Sequence, residues 1–309
     1  GLKSEERFDN GTTVGVQLEG GLSTDSGMSG QSGRLFGRDA RLYVDNQYGL
    51  FSAGRMGAMV GGNGPYARFG HILSPFSCGW GNVGGHLQVM ALGYEYVDNA
   101  LAWASPKFAG FDATLQYSNG TDAKNFGTGV EGKSSVERMY AGALRYTHND
   151  LMVIGGIERI NYAQPSANDL GRKDAISYNL GGSYQAGWAK FYAYGQYFQN
   201  YTAAARTTTF ALPSGVDGWG ANVGVDVPVS HGFIKAGLGY GDFKGSKDSD
   251  RTMKTWQAAV GYLLPLSKRT SLYTAANYIN SRYSDAQEAA NPKAGKQVID
   301  VIAGLMHKF

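Results

Sequence analysis

The chain holds 309 residues, among them 46 glycines, 20 tyrosines, 14 phenylalanines, five tryptophans and one cysteine, with a formal net charge of +3. Glycine stands at about twice its ordinary share, which counts against a helical bundle because glycine is costly inside a helix. A hydrophobic share of 42% excludes disorder, Cys78 alone excludes a disulfide scaffold, and so small a charge gives no reason to expect a nucleic-acid partner.

No apolar run approaches the ~18 residues that a membrane helix needs, which leaves an all-β protein, soluble or a membrane barrel. Alternation favours the barrel. In chain order, Val14, Val16 and Leu18 alternate with Gly15, Gln17 and Glu19, and Phe111, Ala113, Leu115 and Tyr117 with Asp112, Thr114 and Gln116. Ile176, Tyr178, Leu180 and Tyr184 alternate with Ser177, Asn179, Ser183 and Gln185. Trp219, Ala221, Val223, Val225 and Val227 repeat the pattern against Gly220, Asn222, Gly224 and Asp226. Successive strand side chains point to opposite faces, so each segment has one greasy and one polar surface. These segments run about ten residues, the length of a tilted membrane strand and longer than the globular mode. Aromatics gather near their ends (Trp188, Phe198, Trp219, Tyr240, Tyr262, Tyr278), as interfacial girdles do.

The pattern predicts an all-β fold, a transmembrane antiparallel β-barrel, with fifteen strands near residues 1–8, 12–22, 35–45, 50–57, 98–105, 111–119, 136–147, 151–162, 174–185, 188–201, 217–228, 232–243, 251–263, 269–282 and 296–309. Short connections such as Asp9–Gly11, Asn46–Gly49 and Pro228–Gly232 alternate with long ones at 23–34, 58–97, 120–135, 163–173, 202–216, 244–250 and 283–295. Outer-membrane barrels turn tightly on the periplasmic side and loop outside. The first and last visible strands then both descend and cannot pair antiparallel. A sixteen-stranded barrel, with one further rising strand ahead of Gly1, is the expectation. Lumen parity falls to Glu19, Asp112, Arg145, Lys190, Asp226 and Lys235.

Several stretches resemble the Gram-negative general diffusion porins of the neisserial and β-proteobacterial type. They are Gly1-Leu2-Lys3, Val16-Gln17-Leu18-Glu19, Gly33-Arg34-Leu35-Phe36-Gly37-Arg38, Gln47-Tyr48-Gly49 leading to Gly54-Arg55, Ser105 through Phe111, and the ending Ala303 through Phe309. The resemblance implies a single barrel domain over 1–309 that assembles as an outer-membrane homotrimer and passes small hydrophilic solutes and ions without chemistry or cofactor. It implies contact with outer-membrane lipid, and a terminal Phe309 read by the barrel-assembly machinery. It also implies a third loop, here 58–97, folded into the lumen as a constriction, and basic side chains at Arg38 and Arg55 pointing into it. Strict alternation instead places Arg38 with Leu42 and Arg55 with Phe51, and only a bulge near Gly37 or Gly54 would re-aim them. The loop departs from the family in having no Asp or Glu between Phe51 and Tyr94, while it supplies Arg68, His71 and His86. With the wall in balance, a basic constriction predicts a preference for anions. A substrate-specific channel and a plugged adhesin-type barrel are the alternatives.

Two glycine motifs invite other readings. Gly127 through Ser134 fits the phosphate-loop pattern, and Gly79 through Gly84 fits GxGxxG, but neither sits between a strand and a helix. The five histidines have no metal-binding spacing, and no Ser/His constellation points to a hydrolase.

Overall fold

The computed structural model describes residues 1–23, 25–122, 137–162, 173–292 and 295–308. The predicted alternation becomes fifteen strands: β1 (Leu2–Arg7), β2 (Thr13–Glu19), β3 (Asp39–Asn46), β4 (Gly49–Gly57), β5 (Tyr96–Ala104), β6 (Phe111–Asn119), β7 (Arg138–His148), β8 (Leu151–Asn161), β9 (Ala175–Ala186), β10 (Ala189–Ala204), β11 (Phe210–Val229), β12 (Gly232–Gly245), β13 (Thr252–Pro265), β14 (Thr270–Tyr283) and β15 (Gln297–His307). They form one antiparallel sheet in strict sequence order. Among the described residues, helix is confined to the four-residue α1 (Gly30–Gly33), the six-residue α2 (Asp285–Ala290) and a 3-10 turn at His86–Gln88.

Two compact units make up the chain. The first comprises Gly1–Arg68, Tyr94–Tyr146 and Gly156–Asp169, and the second Phe69–Gly93, Thr147–Gly155 and Leu170–Phe309. In both, the usual sorting of side chains is inverted. Leu42, Leu101, Leu115 and Leu144 in the first unit stand exposed, as do Leu180, Val223, Leu238 and Val260 in the second. Their strand neighbours Thr114, Gln116 and Ser118, and Asn179, Asn222 and Gln257, are buried. An apolar face turned outward along these strands suits hydrocarbon rather than water. The opposite, inner face is buried because the long connection after β4 packs on it.

One predicted connection is shorter than expected. Residues 202–216 read as a long loop, yet β10 runs on to Ala204 and β11 begins at Phe210. The extension pairs Ala203 with Ala211 and Ala204 with Phe210 after two register shifts, and Ala91 from the long connection bridges Ala204. That added partner makes strand out of a stretch with no alternation of its own.

Candidate functional site

In the first unit, an arginine cluster grows out of a β-bulge. Gly54 takes φ +127°, and the β4–β5 pairing skips from Gly54↔Ala100 to Met56↔Val97, with Asn99 left-handed at φ +47°. An extra residue re-aims the side chains beside it. The extra residue lies on β5, where Asp98 and Asn99 oppose Arg55 alone; Arg55 Nη1 donates to Asp98 Oδ1 at 2.5 Å and its Nε to the Gly37 carbonyl at 2.7 Å. Arg34 Nη2 reaches Asp98 Oδ2 at 3.2 Å and Asp122 Oδ1 at 2.6 Å. Arg38 donates through Nε to the Tyr96 hydroxyl at 2.9 Å and pairs with Glu19 at 3.0 Å. Arg41 donates to Gln17 at 2.6 Å and Ser52 at 3.0 Å, lies against Asp39, and covers the Tyr43 ring.

Four guanidinium groups here face four carboxylates, Glu19, Asp39, Asp98 and Asp122. Sequence reading expected a zone several charges positive; the carboxylates of β3, β5 and the β6–β7 connection reduce that excess. In the sequence Arg34 stands out only within a family-like stretch, and Arg41 is not singled out. Arg41 was findable, since it shares inner-face parity with Asp39 and Tyr43, whereas the partners of Arg34 lie 64 and 88 residues away.

Arg68 is held differently. Its Nε donates to Thr114 Oγ1 at 2.8 Å and its Nη1 to the carbonyls of Pro65 and Ala67 at 2.7 and 3.0 Å. Among the described residues no carboxylate lies within ion-pair distance of it. Burial, and then the charge of Arg145, push its guanidinium down to about 10, with Asp112 opposing, so it stays cationic at neutral pH. Beside it, Arg145 donates to Asp112 at 2.9 Å across the β6–β7 ladder. The same wall anchors the start of the long connection. Met59 N–H donates to Gln116 Oε1 at 2.8 Å, Gln116 Nε2 donates to the Gly57 carbonyl at 2.9 Å, and the Tyr66 hydroxyl meets Ser52 at 2.7 Å.

In the second unit, residues 69–93 pack on the inner face of β9 to β14 through neutral groups. Gln257 Nε2 and Asn222 Nδ2 both donate to the Gly85 carbonyl, at 2.5 and 3.4 Å. Asn277 Nδ2 donates to the Asn82 carbonyl at 3.2 Å, and the Ala91 N–H donates to Gln196 Oε1 at 2.9 Å. Leu92 N–H donates to the Ala203 carbonyl, and the N–H groups of Ala205 and Arg206 donate to the carbonyls of Met90 and Leu87. Phe76 packs with Val83, Ala259 and Ala275, and Phe69 stacks on Tyr194 at 5.8 Å. So close an approach needs glycine: a Cβ at Gly220 would strike the Val89 backbone, and one at Gly224 the Pro75 ring. His86 is wholly enclosed, and burial, with Arg206 adding to it, pushes it down to about 3, so it is neutral.

Three wall residues of this unit form a row. Lys235 Nζ donates to Asp226 Oδ1 at 2.7 Å, and Lys190 lies across from Asp226 in register with its Nζ 5.0 Å from the Tyr192 ring centre. The glycine motif at Gly79–Gly84 is a tight turn in which Trp80 and Val83 exchange backbone hydrogen bonds, with no helix to cradle a phosphate. The other glycine motif, 127–134, and Phe309 lie outside the described residues. Among the described residues no group of His, Cys, Asp and Glu could hold a metal ion.

Comparison with known proteins follows the same line. A family model described as Gram-negative porin matches residues 1–284. An outer membrane porin protein of Bordetella pertussis is 28% identical, over all of this chain and 81% of the relative. An anion-selective porin from Comamonas acidovorans superposes with a TM-score of 0.74 at 22% identity, covering 99% of this chain and 88% of that one. In-vitro-folded OmpT of Vibrio cholerae in its trimer form gives 0.55 at 14% identity, covering 99% and 96%.

Proposed function

The chain belongs to the Gram-negative porin family, and on that premise we propose how this porin sorts what it passes. Its place is the outer membrane and its work the passive diffusion of small hydrophilic solutes and ions. We read residues 58–97 as the lumen constriction of a single barrel domain, with Arg38, Arg55, Arg68, Glu19, Asp112 and Arg145 lining one stretch of it and Lys190, Asp226 and Lys235 another. The channel prefers anions. The observation that carries this is Arg68, a buried guanidinium tied to neutral oxygens, while Arg34, Arg38, Arg55 and Arg145 are matched by carboxylates. A fixed charge of one sign in a narrow, poorly screened passage concentrates the opposite ion. Likeness to a porin whose name is anion-selective supports the same sign.

The reading includes no chemical step and no cofactor. It includes a homotrimer in outer-membrane lipid, for which the trimer form of a structural relative is support, and recognition of the terminal Phe309 by the assembly machinery. Reversal potentials across a planar bilayer under a KCl gradient test the selectivity: chloride-favouring potentials are expected, and potassium-favouring ones would sink it. Conductance in steps of three tests the trimer, and normal assembly after deletion of Phe309 would remove the role given to that residue.

A further inference from the structure

A part of the inner face to which the selectivity reading gives only a lining role combines charge with aromatic rings. Lys190, Asp226, Lys235 and Gly261 occupy one level on β10, β11, β12 and β13, as the register Lys190↔Asp226, Asp226↔Lys235 and Lys235↔Gly261 shows. With adjacent strands ~4.8 Å apart, the two lysine backbones are separated by about 10 Å. Both oxygens of the intervening carboxylate are engaged: Oδ1 accepts from Lys235 at 2.7 Å and Oδ2 from the Tyr192 hydroxyl at 2.9 Å. Lys190 has no carboxylate within ion-pair distance among the described residues, and lies over Tyr192. Trp80 completes the group. Its ring is 5.9 Å from Lys235 Nζ and is fixed by edge contacts with Phe76 and Tyr273, at 5.5 and 5.0 Å. Lys190, Tyr192, Trp80 and Tyr273 are all half-buried, accessible from the inner face.

From this juxtaposition we propose that Lys190, Tyr192, Asp226, Lys235 and Trp80 form a solute subsite for organic anions that carry a flat ring, the aromatic carboxylates being the simplest class. The inference deepens the anion-channel reading and rests on it. A small inorganic anion needs only the ammonium of Lys190. A ring-bearing anion also covers an aromatic face, and aromatic pairing adds to affinity beyond charge. Asp226 keeps Lys235 and the Tyr192 hydroxyl in place and weakens the cluster's hold, so that solute is slowed and then released, which a channel requires.

The test uses the full chain in planar bilayers and compares benzoate with acetate, which carry the same charge. Benzoate is expected to reduce the chloride current at concentrations about fivefold lower than acetate does, in line with one aromatic stacking contact. Tyr192→Ser should abolish that difference, Tyr192→Phe should retain it, and Lys190→Gln should weaken both anions, each variant being normalised to its own chloride current. Equal block by the two anions in the unaltered channel would overturn the proposal, with no variant needed, and so would discrimination that survives Tyr192→Ser. The reversal potential measured in the same bilayer separates the two readings. A potassium-preferring channel that still discriminates through Tyr192 would defeat the anion preference and leave the subsite standing; a chloride-preferring channel without discrimination would do the reverse.

Discussion

The inner face of the first unit and that of the second solve the same problem in different chemical terms. Each must hold part of one long connection against a sheet whose other face is apolar. The first seats it on Gln116, Ser52 and Thr114 beside a charged cluster, where Arg34, Arg38, Arg41 and Arg55 are interleaved with Asp98, Asp122, Glu19 and Asp39 and Arg68 is left over. The second does so with amides, Asn222, Gln257, Asn277 and Gln196, which reach backbone groups of residues 82–91. A buried amide needs only a partner for each polar group, whereas a buried charge needs a counter-charge or a strong set of dipoles. One chain thus separates the task of seating the connection from that of setting the field. Selectivity should respond to substitutions in the first unit and be nearly indifferent to those in the amide row.

The largest effect is expected from Arg55→Glu, which places a third carboxylate beside Asp98 and Asp122. The chloride-to-potassium permeability ratio should fall about tenfold, equivalent to about 1.4 kcal/mol; an unchanged reversal potential would show that the cluster does not govern the passage. Asp98→Asn works in the other direction by releasing Arg34 and Arg55 from their shared partner, and should raise the ratio about threefold, or roughly 0.7 kcal/mol. In the amide row, Gln257→Leu removes the donor to the Gly85 carbonyl. It should lower stability by about 1–2 kcal/mol and increase open-channel noise while leaving selectivity alone. A large selectivity change in that variant would erase the division of labour. The smallest effect concerns Arg68→Lys. Burial lowers the pKa of a cation, so the charge is kept below the lowered value and lost as pH rises through it. A lysine starts from ~10.4 instead of the higher arginine value, so the variant should match the native channel at neutral pH and lose anion preference first on alkaline titration.

Most of the strand plan was legible because alternation with a period of two is a local signal. The predicted 111–119 coincides with β6, and 151–162 and 232–243 differ from β8 and β12 by no more than a couple of residues at one end. The 202–216 stretch was not legible, since its pairing depends on two register shifts and on Ala91 more than a hundred residues earlier. Site residues divide the same way. Asp112 with Arg145 and Asp226 with Lys235 follow from parity and neighbouring strands. The contacts of Arg55 do not, because they depend on an extra residue in the opposing strand β5, which no local pattern announces. Asp98 gathers Arg34 from the β2–β3 connection and Arg55 from β4, a meeting that no short-range pattern records.

The wall grips the connection by its main chain. The groups it holds are the carbonyls of Gly57, Asn82, Gly85, Leu87 and Met90 and the amides of Met59, Ala91 and Leu92. Every residue type except proline offers the same two groups, so this part of the seating does not depend on the side chains at those positions. Exposed side chains there, such as His71, can be exchanged while the buried Phe69, Leu73, Phe76 and Val89 keep the path of the backbone. If the connection is the constriction proposed above, new selectivities can be sought at its exposed positions without redesigning the barrel wall.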